Sequence, residues 1–350
     1  MMASEAFSEA RRALEAQVEE RLRHWDERAE EAQVRSRRWE SVRALLPPAA
    51  ALLLSVQILV FPQRSAVSIV LIGAELAVLF VALLLGYARQ TPPAEKWIDA
   101  RMRAEVLRRE QFLVTAMVGP YLQCTTEDQL ATTVQTRLDS IGDPARDPME
   151  FVELSDEAGI PWRDALEDAR QEQLRAGEPY PLQICPTPTK PWERYLTARL
   201  KGQIDYYERR SERWFGLDNR CEGWRRGILG AAAIAAGMHF AALWLSSPAD
   251  QSSFRLVIEI LAIVLPPTSS AVEALQGLYQ GRRLGCLYRD VAAGLSKLAP
   301  QFTTLIAQVP DGHADDDELA ELDFAFRRLV LRAEELMTGE WRNWCVVMRP

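Results

Sequence analysis

Three ionisable side chains stand inside long apolar runs of this 350-residue chain. Glu75 lies in "SIVLIGAELAVLFVALLLG" (68–86), His239 in "GILGAAAIAAGMHFAALWLSSPA" (227–249) and Glu259 in "FRLVIEILAIVLPPTSSAVEALQG" (254–277). A carboxylate or imidazole in apolar surroundings costs a few kcal/mol unless it is paired or wetted. Such groups therefore face a bundle interior or water, where they hold a proton, satisfy a neighbouring helix or meet a cation. Glu259 has Arg255 one turn away, which makes an ion pair its simplest role. Conventional catalytic sets are missing. The three histidines, His24, His239 and His313, are far apart, and no HExxH, GxSxG, CxxC or glycine-rich phosphate loop occurs. Five scattered cysteines offer no metal-ligand spacing, and the acidic turn "PDGHADDDELAELD" lacks the glycine and oxygen ligands of a calcium loop. We therefore expect no enzyme, cofactor or metal. A net charge of −8 without a basic patch argues against nucleic acid as a partner.

The elements that must position these groups are apolar and long. Four stretches, about 44–63, 65–88, 227–249 and 254–277, have few or no charges. Each is near the ~20 residues needed to cross a bilayer. The expectation is an all-α membrane protein, with two transmembrane helical hairpins (four spans) and long cytosolic helices. Pro62 and Arg64 mark the turn of the first hairpin. Basic residues gather outside the hairpins (Arg35, Arg37, Arg38 and Arg43 before; Arg282, Arg283 and Arg289 after). That pattern predicts a multi-pass bacterial inner-membrane protein with both termini cytoplasmic and the lipid bilayer as partner. Pro266 and Pro267 are expected to break the fourth span. Ala233, Gly237 and Ala241 form a small-residue face suited to close helix packing.

The hairpins look like two copies of one unit. Trp25 and Tyr207 stand 182 residues apart, as do Arg43 and Arg225, and Glu75 and Glu259 are 184 apart. The division this predicts is a first two-span unit over 1–120, a linker with short helices over 121–192, and a second two-span unit over 193–350. Apolar residues at Leu14, Val18, Leu22, Trp25 and Ala29 predict a long helix with one packing face, within or between subunits. Further helices are expected over Glu127–Ser140, Trp162–Ala176 and Asp317–Thr338.

The segments flanking the hairpins resemble the SLATT domains of bacterial defence systems, in which two transmembrane helices are flanked by long cytosolic ones. "YLTARLKGQIDYYERRSE" is similar to the family's Arg…Gln…Tyr-Tyr helix, at Arg199, Gln203, Tyr206 and Tyr207. "KWIDARMRAEVLRREQFLVTAMVGPY" resembles its Trp…Arg…Ala-Glu…Arg helix, at Trp97, Arg101, Ala104, Glu105 and Arg108. "GEWRNW" is similar to its Glu-x-x-x-Trp ending, at Glu340 and Trp344. The first copy matches only partly at "RLRHWDERA" and has no counterpart of the ending. The resemblance implies an antiphage effector that oligomerises and permeabilises or depolarises the membrane. Its trigger would be a sensor or a partner producing a nucleotide signal. The alternative is a non-conducting scaffold that recruits a cytosolic partner through its long helices. A proton-linked transporter built on Glu75 is a third reading.

Overall fold

The computed structural model describes residues 2–60, 70–74, 77–78, 80–81, 93–151, 153–155, 161–176, 189–245, 253–309 and 316–348. Nine α-helices are bounded among the described residues: α1 (Met2–Val60), α2 (Pro93–Ala116), α3 (Glu127–Gly142), α4 (Trp162–Ala176), α5 (Thr189–Arg194), α6 (Gly202–Leu245), α7 (Ser253–Tyr279), α8 (Gly281–Ala307) and α9 (Asp316–Met348). A π-helical turn, Tyr195–Lys201, joins α5 to α6. The extended pairing among the described residues is one isolated bridge, Ser155 to Pro161.

Two compact units cut across the sequential division that the duplication suggests. Unit 1 combines Met1–Ala32, Ala94–Ser211 and Cys286–Pro350; unit 2 combines Gln33–Pro93 and Glu212–Gly285. Each unit thus takes chain from both halves. The stretch expected as a linker belongs to unit 1, where α3 and α4 are integral helices.

Unit 1 is built on buried stripes. On α1, Leu14, Val18, Leu22, Trp25 and Ala29 are buried at steps of three and four, the repeat of one helix face. On α3, Leu130, Val134, Leu138 and Ile141 do the same, and a capping box closes its start: the Thr126 hydroxyl accepts from Gln129 N while the Gln129 side chain accepts from Thr126 N. The α2 helix differs. From Ile98 to Val118 nearly every residue is buried or half-buried, so it is the central element. Behind it the chain turns at Gly119, whose φ of +66° is left-handed. A Cβ there would stand 2.7 Å from the Trp162 ring, so both the backbone and the packing require glycine. The α9 helix runs to Met348, well past the expected end at Thr338, because Glu340, Trp341 and Trp344 are themselves buried in unit 1.

The expected four-span membrane architecture is overturned. Among the described residues, no helix is long and apolar enough to cross a membrane. The multi-pass inner-membrane placement falls with it. Freedom from charge proved a poor guide to apolarity. The uncharged end of α6 is largely alanine and glycine and carries His239, while α7 includes Glu259, Glu273 and two prolines. Pro266 and Pro267 do not end α7, which runs through both. Around them hydroxyls bond back to the preceding turn: Thr268 Oγ1 donates to Val264 O at 2.8 Å and Ser270 Oγ to Pro266 O at 3.2 Å. The hairpin turn expected at Pro62 to Arg64 lies outside the described residues, as does Glu75.

Candidate functional site

The densest chemistry lies inside unit 1, where arginines and carboxylates from distant segments meet in a nearly dry core. On α2, Arg103, Arg109 and Glu110 are buried and must find partners, while Asp99, Arg101, Glu105 and Arg108 are half-buried.

Arg103, 1% exposed, donates to Asp143 O at 2.8 Å and Arg146 O at 2.7 Å, and also to Ile141 O. Asp99 takes its Nε at 3.1 Å. The guanidinium stacks over the Trp25 ring, 5.2 Å from its centre. It thereby closes the C-terminal end of α3, where orphan carbonyls and the helix dipole favour a cation. Two turns on, Glu110 accepts from Tyr121 Oη at 2.6 Å and from Arg137. Burial alone would raise its pKa, but Arg137 and Arg109 hold it below the ordinary carboxylate value. Burial pushes Arg109 down to about 10, although its guanidinium reaches Phe151 O and lies over Trp162.

A second cluster joins the π-helical turn before α6 to α9. Arg199 grips Glu334 with two prongs, Nε–Oε1 at 3.0 Å and Nη2–Oε2 at 2.7 Å, and Tyr195 Oη donates to Glu334 Oε1 at 3.0 Å. Aromatic rings enclose this pair: Arg199 lies over Phe112, and Tyr195 packs with Phe112, Phe302 and Phe326. Nη1 of Arg199 is buried without a hydrogen-bond partner.

The third cluster holds most of the remaining family-like positions. Glu105 pairs with Arg101 and, at 2.6 Å, with Arg108. Asp26 on α1 receives Arg108 at 2.6 Å and Arg101 at 3.6 Å. Arg101 also reaches Tyr206 Oη at 3.4 Å. Burial opposes ionisation of Glu105, but the arginines prevail and hold its pKa at about 2. Tyr207 Oη donates to Glu340 Oε2 at 3.2 Å, and Trp97 meets the Trp344 ring edge to face at 5.3 Å. Of the eleven positions carrying the resemblance, Ala104 is buried in the core and Gln203 is half-buried on α6. The others pair through Arg101–Glu105–Arg108, Arg101–Tyr206, Tyr207–Glu340, Trp97–Trp344 and Arg199–Glu334. Glu334, Arg103, Glu110, Asp26 and Tyr195 were not anticipated. The signal for the first three was a charge on an otherwise apolar helix face. Asp26 and Tyr195 had none.

The other expected residues lie in unit 2. His239 Nδ1 approaches Glu259 Oε1 at 3.7 Å across α6 and α7, so the partner shown for Glu259 is the histidine of the facing helix. Ala233, Gly237 and Ala241 are exposed, and a Cβ at Gly237 would meet nothing within 4 Å. Within the chain the closely packed small residues are instead Ala232 and Ala235. No group of three or more His, Cys, Asp or Glu among the described residues is arranged to hold a metal ion.

Set beside known proteins, the chain stands apart: no family model, curated protein or solved structure matches it.

Proposed function

We propose that the chain is a non-catalytic helical scaffold that works by assembling with copies of itself through unit 2. Its setting is the bacterial antiphage role that the resemblance implies, with a sensor or nucleotide-signal partner as trigger. The permeabilising step of that role needs a crossing helix and forms no part of this reading.

One observation carries the proposal. Among the described residues, exposed large apolar side chains gather in unit 2, and Leu174 and Leu336 are the exceptions. Trp224, Ile234 and Phe240 on α6 are 62–70% exposed, and Val257, Leu261 and Ile263 on α7 are 42–51% exposed. The pattern along the helices explains why. On α6 only one stripe, Ala232 and Ala235 with half-buried Ile228 and His239, turns inward. On α7 the stripe is Ile258 and Ser269. The remaining faces are apolar and open, whereas a helix apolar all round is normally buried. Half-exposed side chains of this size each leave roughly 60–100 Å² in water. More than a dozen such residues in unit 2 reach the about 800 Å² per partner that a stable interface covers.

The test is particle mass in solution by light scattering. The full chain is expected as an oligomer, and Ile234→Glu with Val257→Glu as a monomer of unchanged helicity. Both forms are then compared for protection in phage plating with the neighbouring genes present. A wild-type monomer at micromolar concentration that binds lipid vesicles instead overturns self-assembly. Equal plating with and without the chain overturns the defence role.

A further inference from the structure

We infer that Glu340 carries a proton in folded unit 1, and that this proton latches the C-terminal part of α9 onto α6 and α2. The argument begins with charge. Glu340 is 6% exposed, and its neighbours Trp341 and Trp344 are equally buried. A carboxylate so placed needs a cation or several donors. It has one donor, the Tyr207 hydroxyl on α6 at 3.2 Å, and takes part in no ion pair among the described residues. The guanidinium that acts on Glu340 is that of Arg101, which already meets Glu105 and Asp26, the same two carboxylates that Arg108 meets. Two cations and two anions balance there, and an ionised Glu340 would add a third anion without compensation.

The groups that act on Glu340 are Arg101 and Glu105 from α2, Tyr207 from α6 and Tyr288 from α8; Tyr206 on α6 meets Arg101. Burial pushes the Tyr207 and Tyr288 phenols well above the ordinary value, and Tyr288 stacks on Tyr207 with ring centres 5.8 Å apart. The nearest like charge is Glu105, which its two arginines keep ionised. Burial first and the Glu105 charge second push the Glu340 carboxyl up to about 8, against weaker pulls from Tyr207 and Arg101. When the proton leaves for solvent, the pocket gains one negative charge beside Glu105. The strain falls on contacts that hold this part of α9: Tyr207 to Glu340 and Trp97 to Trp344.

The direction with pH follows from linkage. The folded-state value lies above the ordinary 4.5, so the folded state binds the proton more tightly than the unfolded chain does. The stabilisation is complete below about pH 4.5 and is lost as pH rises through about 8.

The experiment uses the full chain and two readouts. Infrared spectra near pH 6 report a protonated buried carboxyl, and the melting temperature is followed from about pH 5 to about pH 9. The wild type is expected to show a buried-carboxyl band that Glu340→Gln removes. Glutamine keeps the acceptor for Tyr207 and carries no charge. Its melting temperature is expected to match or exceed the wild type's near pH 9, with a shallower fall across the alkaline range. Either of two results overturns the latch: no such band in the wild type, or a wild-type alkaline slope unchanged by Glu340→Gln. If Glu340→Gln does not fold, the wild-type band alone decides.

Discussion

Arg199 and Glu334 face each other as a two-pronged ion pair, 2.7 and 3.0 Å long, between residues 135 positions apart. Both side chains are almost fully buried. Burial disfavours the Arg199 charge, yet Glu334 more than restores it and holds the pKa above the ordinary value. A pair of this kind defines which helices meet more than it adds net stability, since desolvation cancels much of the attraction.

Removing one partner is therefore predicted to be far worse than removing both. Glu334→Leu leaves a guanidinium buried without its carboxylate and should cost about 3–5 kcal/mol in denaturant unfolding. Combining it with Arg199→Met should recover most of that loss. A double variant as unstable as the sum of the single ones would show that the two residues act separately.

The turn after α2 makes a second prediction. Gly119 combines φ +66° with a ring 2.7 Å from the place a Cβ would occupy. Gly119→Ala should cost roughly 2–4 kcal/mol, from backbone strain and displacement of Trp162 together. Trp162→Ala removes the clash but not the strain. Adding Gly119→Ala to that variant should thus cost only about 1 kcal/mol more. Tryptophan emission should redden in Gly119→Ala as the indole is displaced.

Much of unit 1 was legible in the sequence. The α1 stripe from Leu14 to Ala29 follows from period alone, and Trp162–Ala176 is helical over the range the periodicity predicts. Positions such as Arg101, Glu105 and Tyr207 were singled out by the family resemblance, but not their partners. An ion pair between residues more than a hundred positions apart leaves no local trace. Glu334 stands out as a charge on an otherwise apolar helix face, but its partner shows only when the π-helical turn is placed against it. The membrane spans failed for a different reason. Absence of charge was read as apolarity, and the alanines and glycines of α6 and the carboxylates of α7 weaken it. The interleaving of the units was hidden because a duplication suggests sequential domains, and long helices can belong to two units at once.

Arg103 supplies a third prediction. It joins three carbonyls at the end of α3, two oxygens of Asp99 and the face of Trp25. A lysine cannot reproduce that planar fork or its stacking. Arg103→Lys should cost nearly as much as Arg103→Met, about 2–3 kcal/mol. Amide exchange should quicken first in the last turn of α3 and in 143–146. Full rescue by lysine would mean that charge alone holds this end of the helix.

The final prediction concerns acid. Glu105 is ionised with a pKa near 2 because Arg101 and Arg108 outweigh its burial. Its folded value lies below the ordinary 4.5, so the unfolded chain binds the proton more tightly. The stabilisation from Glu105 is therefore complete above about pH 4.5 and is lost as pH falls through about 2, the reverse of the direction argued for Glu340. Glu105→Gln should lower stability at neutral pH, because Arg101 and Arg108 then lean on Asp26 alone. It should also flatten the acid limb, since the proton that drives that loss has no site to occupy. Urea unfolding at a series of pH values between about 2 and about 7 checks both parts. A variant that keeps the wild-type acid slope would move the acid sensitivity of unit 1 from Glu105 to other carboxylates, Glu110 first, since its arginines hold it below the ordinary value against the opposing effect of burial.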